Sequence, residues 1–303
     1  MQLGQIKVKV KGVHTERGEI EVACAGAAVC PVAVGGVGGS GTRLIAQVLL
    51  ELGYYLGGDL NESLDNLWFT LLFKRREVLG LTDAAFAEVL EVFVSRMRGG
   101  DPPAPQQMDL VRSLAEPDRG EHPPPWLRAR AETLLTGPPA PKLGPWGWKE
   151  PNTHIVIDRL AHRLPGLRYI HVVRNGLDMA YSANQNQIAF WGGQFLGPGV
   201  EVSPRTSLQY WHRVHRRVLD LCAPFGERFL LLNFDRLCAD PTQGLRELVD
   251  FLGVDVAKDK LERLVGLTRA PSSIGRFKRH GLDCFDPDDV AFVAQLGFDT
   301  RLD

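Results

Sequence analysis

The pattern of apolar and polar residues separates an N-terminal extension from one longer domain. Residues 6–10 (IKVKV) and 19–23 (EIEVA) alternate between apolar and polar side chains, and ERG supplies turn residues between them. Alternation on both sides of a turn is typical of a short β-hairpin. We therefore expect a hairpin extension over residues 1–31 and a single domain over residues 32–303.

Near-continuous apolar segments recur along the domain, and a helical pattern follows each of them. The segments are VAVGG at 32–36, RYIHVV at 168–173 and RFLLLNF at 228–234. After the first, Leu44, Ile45, Val48 and Leu49 fall on one face of a helix. Strands that are apolar throughout are typical of a parallel sheet covered on both faces. The pattern predicts an α/β fold of three layers, P-loop-like, with a central parallel sheet.

Residues 62–136 interrupt this α/β pattern. Two helical patterns, at 64–80 and 83–97, are followed by the proline-rich stretches DPPAPQQ and EHPPPW. Prolines at such density favour stiff connections between elements. We expect a mostly helical insertion over about 62–136 that forms a lid or one wall of a ligand site.

Composition and charge exclude several classes of protein. The 303 residues include 35 Lys and Arg against 36 Asp and Glu, a formal charge of −1, whereas a dedicated nucleic-acid binder is usually clearly basic. Runs of apolar residues are too short for a transmembrane helix, and the charged, alternating start is unlike a secretory signal. The five cysteines are dispersed without a CxxC pair, which favours reduced thiols over disulfides or a zinc site. We expect a cytoplasmic protein without a membrane span.

A glycine-rich loop at 35–41 connects the first strand to its helix. Backbone N–H groups at a helix N-terminus form an anion site, and phosphate is the usual ligand. The spacing from Gly36 to Gly41 fits a P-loop, but Thr42 and Arg43 stand where lysine and a magnesium-binding hydroxyl are required. The loop therefore argues against an ordinary ATP or GTP hydrolase and against a bound metal.

The same glycines also satisfy the dinucleotide fingerprint GxGxxG. Asp59 follows at roughly the distance of a ribose-binding acid, which leaves an NAD(P)-binding oxidoreductase as an alternative. The segment before Asp59, GYYLGGD, is a poor second strand. A glycine turn that binds nothing is a further alternative.

Downstream motifs decide between these alternatives. Ser40-Gly41-Thr42 at the helix start, WGWKEP at 146–151 and RYIHVVRNGLDMAYS at 168–182 resemble the sulfotransferases that use 3′-phosphoadenosine 5′-phosphosulfate (PAPS), notably the bacterial and Golgi-type branch. RFLLLNFDRLCADP at 228–241 and SSIGRFKRH at 272–280 are similar to later segments of that family. The resemblance covers roughly residues 32–53 and 144–298.

The resemblance implies a donor site for PAPS, with adenosine 3′,5′-bisphosphate as product and no metal. In the family, an arginine at a strand end and a serine on the next helix hold the 3′-phosphate, here Arg174 and Ser182. The late basic loop closes on the donor through Arg276 and Lys278. The implied donor-binding residues are Gly38, Gly39, Ser40, Gly41, Thr42, Arg43, Arg174, Ser182, Arg276 and Lys278.

The resemblance also implies the residues for the chemistry. Lys149 matches the family lysine placed against the transferring sulfate. Many members carry Lys or Arg where this chain has Gly39, and Arg43 is a candidate to replace it in part. The general base is expected in GGDLNESLDN, with Glu62 favoured and Asp59 second; an alternative is that Asn61 or Ser63 begins a helix there. The further candidates for the base are Asp65, Glu150 and His154.

Together these observations indicate an enzyme that transfers a sulfuryl group from PAPS to a hydroxyl or amine of a small-molecule or carbohydrate acceptor. The alternatives are the NAD(P)-dependent oxidoreductase and a nucleotide-binding protein without catalytic activity. Five tryptophans could stack a ring of the acceptor, although core packing is favoured at their spacing. They are Trp68, Trp126, Trp146, Trp148 and Trp191.

Overall fold

Four parallel strands form the centre of the protein in the computed structural model, which describes residues 30–138, 140–141 and 144–303. They are β1 (Val32–Gly36), β2 (Gly147–Lys149), β3 (Arg168–Val173) and β4 (Phe229–Asn233), in the order β2-β1-β3-β4. Val34 is paired with Lys149 on one side and with Ile170 on the other. Because all strands run the same way, their carboxyl ends meet at one edge, where open α/β sheets bind ligands.

The described helices connect and cover these strands. In chain order they are α1 (Thr42–Glu51), α2 (Leu67–Phe73), α3 (Asp83–Met97), α4 (Pro105–Ser113), α5 (Pro124–Thr136), α6 (Ile157–Arg163), α7 (Gly176–Ala180), α8 (Asn186–Phe195), α9 (Pro204–Cys222), α10 (Phe234–Ala239), α11 (Pro241–Leu252), α12 (Lys258–Leu267) and α13 (Pro287–Gln295). Short 3₁₀ turns occupy Arg76–Gly80, Pro151–Ile155, Ala223–Arg228 and Arg276–Arg279.

Two apolar cores lie on opposite faces of the sheet. Val34 and Val172 point to the face covered by α1, α11 and α12. Ala33 and Tyr169 point to the other face, which packs against α2, α3, α8 and α9. Adjacent strand residues thus alternate between two covered faces, which is why the strands are mostly apolar on both faces. The predicted three-layer α/β fold with a parallel sheet is confirmed.

Helices α2 to α5 lie between α1 and β2 in the chain. Every residue of α2 is buried, and Phe69 stacks on Trp148 of β2 at a centroid distance of 5.8 Å. Phe93 of α3 meets the same indole edge-on at 5.4 Å. The helical segment is therefore packed against the sheet through a shared aromatic cluster. Its assignment as an insertion stays a prediction, and the predicted hairpin lies outside the described residues.

Residues 151–163 form a 3₁₀ turn followed by α6, because Val156 has a non-helical φ of −123° between them. One local prediction differs from the structure. Ser182 lies beyond the helix on which the resemblance placed it, since α7 ends at Ala180. There the Gln185 side-chain amide donates to the carbonyls of Met179, Ala180 and Ser182, which takes up orphaned carbonyls at the helix end.

None of the helices in the described ranges is both long and apolar enough to cross a membrane.

Candidate active site

The glycine-rich loop presents the start of α1 at the carboxyl edge of the sheet. Gly41 is the N-cap of α1 with a left-handed φ of 97°, and no side chain caps the first turn. A Cβ on Gly41 would meet the Phe234 ring at 2.3 Å, so both backbone conformation and space require glycine here. Ser40 is fully buried, and its hydroxyl has no hydrogen-bond partner within the described residues. The uncapped helix start and the unpartnered hydroxyl together fit an anionic group.

Lys149 ends β2 directly beside this loop. Its side chain is 3% exposed, and its ammonium group donates to the Ser63 carbonyl at 3.0 Å and forms an ion pair with Asp65. The backbone fixes the same neighbours, because Asn66 N–H donates to the Lys149 carbonyl at 2.7 Å. The lysine expected at the transferring group is therefore held between the sheet edge and residues 61–66.

A tight turn places the acidic residues that follow α1. The Asn61 side-chain oxygen accepts from the N–H groups of Ser63 and Asp65, each at 2.9 Å. Leu64 adopts a left-handed φ of 62°, which is uncommon for a residue with a branched side chain. Asn61 thus makes a turn instead of starting a helix; Asn66 caps α2, accepting from Phe69 N–H at 2.8 Å.

The three acids of this segment have different surroundings. Asp59 pairs with Arg130 of α5 at 2.9 Å and accepts from the Thr133 hydroxyl at 2.5 Å. Glu62 is exposed and makes no side-chain hydrogen bond or ion pair with another described residue. Asp65 is the one that contacts Lys149. Of the expected bases, the structure therefore brings Asp65 closest to the lysine, leaves Glu62 unengaged and ties Asp59 to α5.

Arg43 also contacts this turn. From the first helical turn of α1 its guanidinium donates to the Ser63 hydroxyl at 2.7 Å. Ser63 therefore receives Arg43 on its side chain and Lys149 on its carbonyl. The two basic residues expected around the transferring group converge on one residue of the turn.

Arg174 follows β3 and reaches across the edge of the sheet. It donates to the Ser273 hydroxyl at 2.6 Å and to the Gly39 carbonyl at 3.4 Å, and its Nε lies 3.8 Å from Asp235. Burial raises the pKa of the Asp235 carboxyl, while the Arg174 charge acts in the opposite direction. Arg174 therefore joins the glycine loop to the late basic segment.

The basic segment at 272–280 is anchored by a carboxylate that sequence reasoning did not assign. Asp178 of α7 is buried and accepts from the N–H groups of Gly275 and Phe277, at 2.8 and 3.0 Å. Arg276 donates to the Tyr181 carbonyl at 2.9 Å, next to Ser182, whose hydroxyl accepts from Asn184 N–H at 3.2 Å. The sequence feature that could have indicated this contact is the acidic residue, Asp178, in the first turn of the helix after Arg174.

Lys278 points elsewhere. Its ammonium group pairs with Asp299 at 3.1 Å and donates to the backbone carbonyl of Asp303 at 2.9 Å. In this structure Lys278 therefore binds the C-terminal segment, in contrast to Arg276, which contacts the segment carrying Ser182.

Gln187 of α8 is hydrogen-bonded to the glycine loop. The sequence patterns did not point to this residue. Its amide nitrogen donates to the Gly36 carbonyl at 3.1 Å, and its oxygen lies 3.3 Å from His154 Nε2. His154 is fully buried, and desolvation, assisted by the Arg217 charge, lowers its pKa to about 3. A histidine that stays neutral inside the core fits a supporting role better than that of a base.

Glu150 is the remaining candidate for the base. It is buried, its carboxylate accepts from Asn152 N–H and from the Asn152 side-chain amide, and desolvation raises its pKa. These bonds cap the 3₁₀ turn at Pro151–Ile155. Within the described residues no cluster of three or more His, Cys, Asp or Glu side chains is suited to a metal ion.

A profile of the sulfotransferase family matches residues 31–258 of this chain. The chain belongs to the sulfotransferase family. The resemblance carried by Ser40-Gly41-Thr42, WGWKEP and the strand ending before Arg174 is thereby confirmed. The family assignment also disfavours the oxidoreductase alternative, and residues 54–59 contribute only an isolated bridge, Tyr55 to Trp146, where that alternative needs a second strand.

Solved structures of sulfotransferases are similar to this one at low sequence identity. The sulfotransferase domain of the Synechococcus PCC 7002 olefin synthase is 16% identical, with 90% of this chain and 96% of that chain covered and a TM-score of 0.49. The sulfotransferase domain from the curacin biosynthetic pathway is 15% identical, with 90% and 99% covered and a TM-score of 0.45. A Mycobacterium avium sulfotransferase is 16% identical, with 85% and 77% covered and a TM-score of 0.40. The comparison with curated protein sequences gives no match.

Proposed function

We propose that this sulfotransferase uses PAPS as its donor and transfers the sulfuryl group to a hydroxyl or amine of a small-molecule or carbohydrate acceptor. The observation that carries the proposal is the position of Lys149, whose buried ammonium group lies at the sheet edge beside the uncapped start of α1. A protein that only binds a nucleotide has no need for a buried lysine there.

The donor site would be assembled from three elements. The N–H groups of the glycine loop, with Ser40 and Thr42, would hold the 5′-phosphosulfate, and the unpartnered Ser40 hydroxyl supports this. Arg174 would bind the 3′-phosphate together with Ser182 and Arg276. Arg276 donates to the carbonyl of Tyr181, the residue before Ser182, so these two candidates lie close together. Arginine suits phosphate because its guanidinium is planar, donates in pairs and keeps its charge.

The chemistry asks the protein mainly for position and for charge stabilisation. The acceptor oxygen forms a bond to sulfur, the bond from sulfur to the bridging phosphate oxygen breaks, and the electron pair stays on the leaving phosphate. Lys149 would stabilise the charge that develops there, which contributes about 3 kcal/mol in comparable oxyanion sites. A carboxylate of residues 59–65 would accept the acceptor's proton, and we favour Glu62 because it is exposed and unengaged.

Nucleotide binding in the presence of a chelator tests the proposal. Adenosine 3′,5′-bisphosphate at a hundred times its dissociation constant stabilises the folded state by about 2.7 kcal/mol. This corresponds to a rise of several degrees in melting temperature for a chain of this size. NAD is the matched control ligand and is expected to give no shift. A shift with NAD and none with the bisphosphate refutes the proposal.

A further inference from the structure

A cleft of about 330 Å³ lies at the C-terminal end of α2. It is lined by Arg75, Arg76, Glu77, Pro117, Asp118, Arg119, Gly120 and Phe190. We call it the arginine cleft. Three guanidinium groups from two separate segments of the chain meet in it, and neither the fold nor the donor site described above accounts for all three.

The positive charge of the arginine cleft lacks direct carboxylate partners. Among the described residues, none of its three guanidinium groups lies within ion-pair distance of an acid. Desolvation and the neighbouring charge of Arg75 lower the pKa of Arg119 to about 10, which still leaves it cationic at neutral pH. The negative charge of Glu77 raises the pKa of Arg119, but this is the smallest of the three effects. Of the three side chains, Arg75 is buried. A buried charge without a carboxylate partner is costly, so the surroundings of Arg75 favour an external anion.

Part of the cleft is explained by the protein itself. Arg119 donates to the Leu71 carbonyl at 2.8 Å and also to the Leu114 carbonyl, so it caps the end of α2. Arg75 Nε likewise donates to the Leu72 carbonyl at 3.0 Å. These bonds give Arg119 a structural role, but they use only one of the three nitrogens of Arg75.

The remaining nitrogens are available to a ligand. Neither Nη1 nor Nη2 of Arg75 hydrogen-bonds another described residue, although the side chain lines the cleft. Arg76 donates from Nε and Nη2 to the Phe190 carbonyl, at 3.1 and 2.9 Å, and its Nη1 is likewise unengaged. Paired guanidinium donors suit the geometry of a carboxylate, sulfate or phosphate group.

Two helices set the distance from this cleft to Lys149. Helix α2 starts next to Asn66, which is hydrogen-bonded to the Lys149 backbone, and ends at Phe73, two residues before Arg75. From Asn66 to Phe73 the helix rises about 10 Å, and the two residues beyond it, with Arg75 in extended backbone, add up to about 7 Å. On α8, Gln187 bonds the glycine loop and Phe190, one turn later, lines the cleft. The cleft therefore flanks the proposed transfer site at the length of an extended small molecule.

We propose that the arginine cleft binds an oxyanion group carried by the acceptor, a carboxylate, sulfate or phosphate ester, while the acceptor's hydroxyl lies near Lys149. This inference rests on the proposed function and narrows the acceptor to an acidic molecule that spans about 10–17 Å. A free inorganic anion shares the same chemistry, so the test has separate arms for the two sources.

The first arm measures binding of inorganic sulfate by calorimetry to protein already saturated with adenosine 3′,5′-bisphosphate. We expect Arg76→Gln, an exposed position, to weaken sulfate binding about tenfold, the effect of losing roughly 1.4 kcal/mol. Arg246→Gln on α11 is the matched control, because it removes an exposed arginine outside the cleft. Lys149→Ala shows whether sulfate binds at the transfer site instead. Both variants should bind sulfate like the wild type. Sulfate binding that is lost in Lys149→Ala and kept in Arg76→Gln overturns the inference, as does no sulfate binding at all.

The second arm asks whether the acceptor supplies the anion. We expect 12-hydroxydodecanoate, a hydroxy acid of matching extended length, to displace the bound sulfate from wild-type protein, whereas its methyl ester should not. Displacement by neither compound assigns the cleft to a free anion and overturns the inference. Binding of adenosine 3′,5′-bisphosphate is measured on the wild type and on every variant, so that the two proposals can fail separately. A wild-type protein that does not bind the bisphosphate refutes the proposed function. A variant that binds it like the wild type is folded.

Discussion

Lys149 at the end of β2 and Asp65 in the turn before α2 form an ion pair, with side chains 3% and 20% exposed. The pair joins the end of β2 to the turn at 61–65. The role proposed for Lys149 requires its ammonium group to exchange these partners for the donor's sulfate. Leu64, with its left-handed backbone, lies between Ser63 and Asp65, which both contact the ammonium group.

Replacing Lys149 should separate rate from binding. We expect Lys149→Ala to reduce kcat about a hundredfold and to leave bisphosphate affinity within a few-fold, because the lost contact acts mainly in the transition state. Steady-state kinetics and calorimetry measure the two quantities. Lys258→Ala, on a 92% exposed lysine of α12, is the control and should change neither. Loss of binding together with rate would show that Lys149 is a binding or structural residue.

The acidic turn offers a comparison among three candidate bases. We expect Glu62→Gln to lower kcat about a hundredfold or more, the usual effect of losing a general base, with bisphosphate affinity retained. Asp59→Asn should instead lower stability, because it breaks the pair with Arg130. Measuring kcat and unfolding for both variants and for Asp65→Asn decides the assignment. A larger loss of kcat in Asp65→Asn than in Glu62→Gln would move the role of base to Asp65.

Arg174 should discriminate between nucleotides. We expect Arg174→Ala to weaken adenosine 3′,5′-bisphosphate by roughly 1.5–3 kcal/mol, the range for hydrogen bonds to a charged group, and to leave adenosine 5′-phosphate nearly unchanged. Calorimetric titration with both nucleotides gives the difference directly. Ser273→Ala, which leaves Arg174 in place and removes one of its three partners, should have a smaller effect in the same direction. Equal losses for the two nucleotides would contradict a 3′-phosphate contact.

Alanine substitutions at two glycines with similar backbone conformations should distinguish backbone strain from steric overlap. Gly41 and Gly53 have φ values of 97° and 87°, but only at Gly41 would a Cβ collide with a neighbour, the ring of Phe234. We expect Gly53→Ala to cost about 1 kcal/mol of stability from the left-handed backbone alone. Gly41→Ala should cost more and should also weaken bisphosphate binding by moving the loop. Urea unfolding and titration of both variants provide the comparison; identical behaviour would contradict the prediction.

The buried histidines should make stability depend on pH. Desolvation lowers the pKa of His154 to about 3, that of His215 to about 4 and that of His171 well below its usual value. The unfolded chain binds protons below about pH 6.5 and the folded chain does not, so stability is complete above that pH and falls as the pH drops toward 4. Three such groups give a slope of up to roughly 4 kcal/mol per pH unit.

Unfolding by urea between pH 7 and pH 5 checks this dependence. Burial raises the pKa of Glu150, so Glu150 makes the protein more stable as the pH falls, opposite to the histidines. Because Glu150 is present in the variants and in the wild type, comparing their slopes removes its contribution. His154→Gln should reduce the slope by about one proton, and the exposed His162→Gln should leave it unchanged. An unchanged slope in His154→Gln would show that His154 is already charged or solvated in the folded protein.

Much of the fold follows from local patterns in the sequence. The strands at 32–36, 168–173 and 229–233 are nearly continuous apolar runs because both faces of the sheet are covered, and the sequence alone shows this pattern. The glycine loop follows from the same pattern, whereas Lys149 and Arg174 were assigned through the resemblance to the sulfotransferases. Parallel strands bring their carboxyl ends together, which explains why these two residues lie at one edge of the sheet. The strands and the loop depend on contacts near in sequence or on topology alone.

Only the tertiary structure decided which side chains meet. The sequence offered Glu62, Asp59 and Asp65 without their partners, and only the structure pairs Asp65 with Lys149 and Asp59 with Arg130. The arginine cleft joins residues 75–76 to residue 119 across more than forty positions. No periodicity records such encounters, because they depend on how α2, the segment after α4 and α8 pack together. Patterning fixes which residues are buried, whereas the identity of their partners is set by packing and by hydrogen bonds between segments distant in the chain.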